Sequence, residues 1–271
     1  MSEPGPARDD RTLGAAAAAC AALVFVVVAS SAWLRLVAVP CPPAGCDGLT
    51  LADAVRLSHR VAAMGVSVLA LVIAAVAWKS PARRGRRISA VALLLLVAVL
   101  ALIGRRSAGV ASPAVMLGNL FGGLALLALA TGLAIAVRTP RGRLSIPFVA
   151  AIVLFAAAII TGGLLATAIQ ADSSSLGIAH RALSWVALAV WSFLGLGAAQ
   201  QPGVRLVSRL TAILIAAQVV LALAFPGWPV VRWLHNFLTS AALCSAIAAM
   251  LASRANAPED AGLSGRAPAG S

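Results

Sequence analysis

The chain has 271 residues, 61% of them hydrophobic and 11% charged, with a formal net charge of +13 and a mean hydropathy of +0.99. Soluble domains carry roughly a quarter charged residues, so this composition excludes an ordinary water-soluble fold and points to a polytopic membrane protein. The positive charge does not mark a nucleic-acid binder, because Arg and Lys lie in short clusters between apolar runs rather than on one surface.

A hydrocarbon core is crossed by about 20 apolar residues of helix. In chain order, eight runs predict spans: Leu13–Leu36, Arg56–Trp78, Ile88–Ile103, Ala114–Val137, Ser145–Ile169, Ile178–Ala199, Leu206–Phe225 and Val231–Leu251. The third is the shortest. The first is too long for a signal-peptide core and follows acidic residues, so it reads as a retained helix. The polar ends, residues 1–12 and 253–271, read as tails without packed structure.

Basic clusters set the orientation. "KSPARRGRR" (Lys79–Arg87), "RTPRGR" (Arg138–Arg143) and "RLVSR" (Arg205–Arg209) join spans 2–3, 4–5 and 6–7. The alternate connections carry less charge: Arg105 and Arg106, then Asp172, then Arg232. The positive-inside rule places the basic loops, and with them both termini, in the cytoplasm of a bacterial plasma membrane.

The cysteines sort on the same map. Cys41 and Cys46, in "VPCPPAGCDG", fall in the first outer loop, while Cys20 and Cys244 lie inside spans as small apolar groups. On an oxidising side the outer pair is a candidate disulfide, with two free thiols or a redox-cycling pair as the alternatives. No CxxCH occurs, so covalent haem attachment is unsupported.

Internal repetition is the strongest organisational signal. "SHRVA" at the start of span 2 aligns with "AHRAL" at the start of span 6, and "VMLGNLFGGLALL" of span 4 with "VRWLHNFLTSAAL" of span 8. A duplicated four-helix unit explains both: residues 13–137 and 138–252, as two pseudo-symmetric four-helix bundles of an all-α membrane protein. His59, Asn119, His180 and His235 then stand at equivalent depths, one or two turns into spans 2, 4, 6 and 8.

Ionisable groups inside a span are costly in lipid and mark candidate sites. One such histidine can serve as a hydrogen bond between helices. Three at matched positions suggest ligation, and helices facing across a bundle can present His180 and His235 to one haem as axial imidazoles. Arg60 and Arg181 follow two of these histidines, and Arg35 ends span 1. They can pair with haem propionates or snorkel to headgroups. Gly122-Gly123 and Gly162-Gly163 allow close approach of helices or macrocycle, and Trp185, Trp191, Trp228 and Trp233 include interfacial anchors. A transporter is disfavoured, since no span is broken mid-membrane beside charged partners.

This pattern resembles the haem A synthases over about residues 13–252. The resemblance rests on "WLRLVAVPCPPAGC" (Trp33–Cys46), "SHR" (Ser58–Arg60), "GNL" (Gly118–Leu120), "AHR" (Ala179–Arg181) and "WLHN" (Trp233–Asn236). It implies a membrane oxidoreductase that converts the C8 methyl of haem O to the formyl group of haem A for cytochrome oxidase. It further implies haem b on His180 and His235, with the substrate iron at His59 and Cys41 and Cys46 as the outer-loop pair. Arg60 and Arg181 would contact the macrocycles, with membrane lipid, haem O synthase and oxidase assembly factors as partners. This chain departs from the pattern in the first half. Asn119 replaces a histidine, and Arg56 stands where the family has a catalytic glutamate, leaving Asp53 as the nearest carboxylate. "CPPAGC" also lacks the family's aromatic stretch. A b-type haem or electron-transfer protein assisting oxidase assembly is the alternative reading.

Overall fold

In a computed structural model, residues 6–37, 50–79, 84–106, 112–139, 142, 144–167, 173–197, 201–225 and 227–256 are described. They form eight α-helices: α1 (Pro6–Leu36), α2 (Leu51–Lys79), α3 (Arg84–Arg106), α4 (Pro113–Ala136), α5 (Ile146–Thr167), α6 (Ser173–Leu196), α7 (Pro202–Ala224) and α8 (Pro229–Ala252). All eight are long and apolar enough to cross a membrane. Helices suit such sequence because lipid offers no partner for a free N–H or C=O, so each segment must satisfy its own backbone. The chain is thus an all-α integral membrane protein.

The sequence also writes the helix starts. Proline opens α4, α7 and α8, where its missing N–H costs nothing, and the Ser112 hydroxyl caps Val115 N in α4. Thr50 and Asp53 cap α2 reciprocally: Thr50 N donates to Asp53 Oδ2 at 3.2 Å and Asp53 N to Thr50 Oγ1 at 3.2 Å.

Several helices outrun the apolar segments that predict them. Helix α1 begins at Pro6 rather than Leu13, α2 at Leu51 rather than Arg56, and α6 at Ser173 rather than Ile178. Helix α3 runs 23 residues, from Arg84 to Arg106, so it is not short. Two of the expected unstructured ends need correction: residues 6–12 belong to α1, and Ser253–Asn256 forms a 3₁₀ turn after α8. The cause is common to all of them. Hydropathy marks the hydrocarbon slab, whereas the helical hydrogen-bond ladder continues into polar flanks that still favour helix. At the start of α1 this continuation is pinned by a bidentate ion pair, in which Arg86 Nη1 and Nη2 of α3 donate to Asp10 Oδ1 and Oδ2.

Packing order repeats. In the first half α1 packs on α2, α2 on α3, α3 on α4 and α4 back on α1; in the second, α5 to α8 close the same ring. Each ring therefore sets its second and fourth helices on a diagonal, α2 opposite α4 and α6 opposite α8. The rings join where α8 meets α1 and α4, and where α4 meets α5. Small residues such as Ala17, Ala130, Ala242 and Ala246 are fully or almost fully buried there, which lets the backbones approach.

Candidate functional site

A cavity of about 510 Å³ lies in the second ring, within the ordinary range for small-molecule sites. His180 from α6 and His235 from α8 both line it. Their ring centroids are 6.3 Å apart at an interplanar angle of 66°. Leu120 and Leu124 of α4, Phe155 and Ile159 of α5 and Ile215 of α7 make most of the remaining wall apolar.

The His180 ring is presented by the helix before it. His180 Nδ1 lies 2.9 Å from the Ala158 carbonyl of α5. That bond leaves Nε2 as the free nitrogen, the usual arrangement of a histidine that ligates a metal. Gly162, one helical turn beyond Ala158, makes room for it: a Cβ there would stand 2.7 Å from His180 Cε1. Gly163 does the same for Phe121, whose Cζ would lie 2.6 Å from an added Cβ. His235 Nδ1 is buried with no hydrogen-bond partner among the described residues. The Gln218 main chain lies beside that ring.

Gln218 and Thr239, both buried, complete the α7–α8 wall. Thr239 Oγ1 sits 2.6 Å from Gln218 Oε1 and 2.8 Å from the His235 carbonyl, one hydroxyl proton shared between two acceptors. Gln218 Nε2 donates to Leu214 O at 3.2 Å. The cluster holds α7 and α8 at a fixed register just below His235.

His59 belongs to the first ring and does not line this cavity. Its Nδ1 meets Val27 O at 3.2 Å and Ser30 Oγ at 3.1 Å, both on α1. Arg35 and Arg60 place positive charge near it. Asn119 stands six residues into α4, diagonal to α2. Asp53 is engaged elsewhere: Arg56 Nη1 donates to its Oδ1 at 2.8 Å and Thr50 Oγ1 to its Oδ2 at 2.7 Å. Cys41 and Cys46 lie outside the described residues, while Cys20 and Cys244 are free thiols.

The structure thus brings together His180 and His235 and keeps His59 apart from them. Arg181 is exposed and does not line the cavity; its Nη2 lies 3.9 Å from where a Gly177 Cβ would stand, back along its own helix. Arg60 is also exposed and absent from the cavity wall. Arg232, Gln218 and Thr239 line the cavity although the sequence analysis does not place them at the site. Arg232 counted there as a loop charge, but it lies in the first turn of α8. Its spacing of three residues from His235 was the available signal, since i and i+3 share a helix face. Gln218 and Thr239 were signalled only by being polar within an apolar span.

No protein-family model matches the chain, and no curated protein matches it either.

Proposed function

We propose that the chain is a membrane haem protein of the haem A synthase type, in which His180 and His235 hold a b-type haem. The carrying observation is the pair itself: two histidines from diagonal helices, 6.3 Å apart by centroid, lining one apolar cavity. Two imidazoles on opposite sides of one metal ion, at roughly 2.0–2.1 Å per bond, put their nitrogens about 4 Å apart. The two half-rings take up the rest of 6.3 Å. The donor set also fits. Imidazole suits iron, His180 keeps Nε2 free, and His235 has an orphaned ring nitrogen that a reorientation around a ligand can satisfy. Held by His180 and His235, a haem would supply a one-electron redox couple.

The protein's own part is to hold and shield. Ala158 O aims His180, the Gln218–Thr239 cluster fixes α7 against α8, and the leucine and phenylalanine wall keeps water away. In the first ring His59 offers a single imidazole for the iron of haem O, the substrate of the proposed C8-methyl oxidation. Asn119, on the diagonal helix, would be a weak ligand for that iron beside His59.

A second reading, electron transfer without haem O oxidation, is favoured by one observation. Asp53, the nearest carboxylate to the missing glutamate's position, is committed to Thr50 and Arg56 and so is poorly placed to move a proton. Chromatography of haems extracted from protein made in a host that supplies haem O separates the readings. Haem A in the extract supports the oxidase-assembly enzyme. Haem B alone favours the electron carrier, and no haem at all removes both. In either reading His180→Ala and His235→Ala each abolish the low-spin spectrum, and survival of that spectrum in both variants refutes the ligand assignment.

A further inference from the structure

We infer that Arg232 receives an acidic group of the ligand held between His180 and His235, so that the site selects a macrocycle bearing a free carboxylate over its neutral ester. The inference rests on the haem reading and adds to it the residue that orients the ligand in the cavity.

Arg232 lies in the first turn of α8, exposed, and lines the cavity three residues before His235. Among the described residues lining the cavity it is the one Arg, Lys, Asp or Glu side chain. The wall deeper toward His180 and His235 is made mainly by Leu120, Leu124, Phe155 and Ile159. The site therefore has direction: an apolar body with two imidazoles, and a cation at one end. The ion pairs among the described residues are Arg56–Asp53 and Arg86–Asp10, and Arg232 is in neither.

The other candidate cations point elsewhere. Arg181 runs back along α6, and Arg35 and Arg60 lie by His59 in the other ring. Arg35 Nε moreover donates to Ser31 O of its own helix at 3.2 Å. Asn236, the next polar group of α8 at the cavity, spends its Nδ2 on Arg232 O at 2.9 Å. A guanidinium beside a poorly solvated cavity gains most from a planar oxyanion that accepts two parallel hydrogen bonds, as a carboxylate does. An arginine that merely snorkels to lipid headgroups would be indifferent to the ligand's charge.

The test uses full-length protein in neutral detergent, titrated with ferric haem b and with its dimethyl ester and followed by the low-spin absorption spectrum. Wild type is expected to prefer the diacid. Arg232→Gln should weaken diacid binding by roughly two- to fivefold, the range for an exposed ion pair, and leave ester binding nearly unchanged. Arg181→Gln should keep the wild-type preference. Independently of any variant, raising salt should weaken diacid binding to wild type but not ester binding. An unchanged diacid-to-ester ratio in Arg232→Gln, or no salt difference in wild type, overturns the inference while the haem reading stands. Failure of wild type to bind either haem overturns both.

Discussion

Gly162→Ala is the sharpest perturbation of the site, because one methyl group meets the ring of His180. The added Cβ would stand 2.7 Å from His180 Cε1 and 3.0 Å from Nδ1, against a comfortable carbon contact of about 3.5–4.0 Å. The ring must move by about 1 Å, and its 2.9 Å bond to Ala158 O cannot survive that shift. Three terms compete. Overpacking costs about 1–3 kcal/mol, the lost hydrogen bond about 1 kcal/mol, and alanine returns up to about 1 kcal/mol of helix propensity. The clash wins, for a net destabilisation of about 1–3 kcal/mol with the imidazole turned from its aim. Gly132→Ala provides the contrast in the same fold. Its nearest neighbour would be Ile247 Cγ2 at 3.9 Å, an ordinary contact, so only the favourable propensity term remains. The assay is thermal unfolding in detergent together with the haem spectrum after reconstitution. Gly162→Ala should lose the low-spin spectrum and melt earlier, while Gly132→Ala should melt no earlier than wild type. A Gly162→Ala protein matching wild type in both measurements refutes the argument that His180 needs this glycine.

Two further substitutions separate stability from site chemistry. Asp10→Ala strands the buried Arg86 guanidinium and should cost about 2–4 kcal/mol, the lower part reflecting that Asp10 is 31% exposed. Thermal unfolding reports it, and the haem spectrum, whose proposed ligands lie on α6 and α8, should not change. Trp233→Phe removes the 3.0 Å hydrogen bond from Nε1 to Ala29 O that ties α8 to α1, while the ring contact with Phe237 can persist. It should cost about 1 kcal/mol or less, again without a spectral change. A shifted spectrum in Trp233→Phe would show that the α1–α8 tie positions His235, which the structure does not predict.

What the sequence showed and hid follows from what each signal measures. Span number was legible because hydrocarbon depth acts directly on composition, and all eight runs became helices. Helix ends were not, because the transfer cost that marks a span does not govern where a backbone ladder stops; hence the early starts of α1, α2 and α6. His180 and His235 were legible because an ionisable group in lipid is conspicuous at any depth, and the repeat fixed their helices. Arg232 already falls inside the expected span Val231–Leu251, but counted with the connection between spans 7 and 8 it informs only topology, and the packing of α8 is what brings it to the cavity wall. Gln218 was hidden for another reason: an uncharged amide raises no alarm in a charge-based reading, although at 5% exposure it makes the α7 wall beside His235.

The three histidines share more than their place in a repeat. Two of them address a main-chain carbonyl of the preceding helix, Val27 O for His59 and Ala158 O for His180, while His235 stands beside the Gln218 main chain with its Nδ1 unpartnered among the described residues. In each case the residue one helical turn further on is small: Ser31, Gly162 and Ala222. A bulky side chain at that point would cover the carbonyl, and at His59 and His180 the result is a device for holding an imidazole by Nδ1 with the opposite nitrogen free. Mere helix–helix glue has no need of this, since any hydrogen bond would serve. Asn119 breaks the device at the fourth position, because an amide offers no basic ring nitrogen. On the haem reading the two rings are then chemically unequal by one residue. In the second, His180 and His235 would both hold a haem suited to moving electrons; in the first, His59 alone would offer an imidazole.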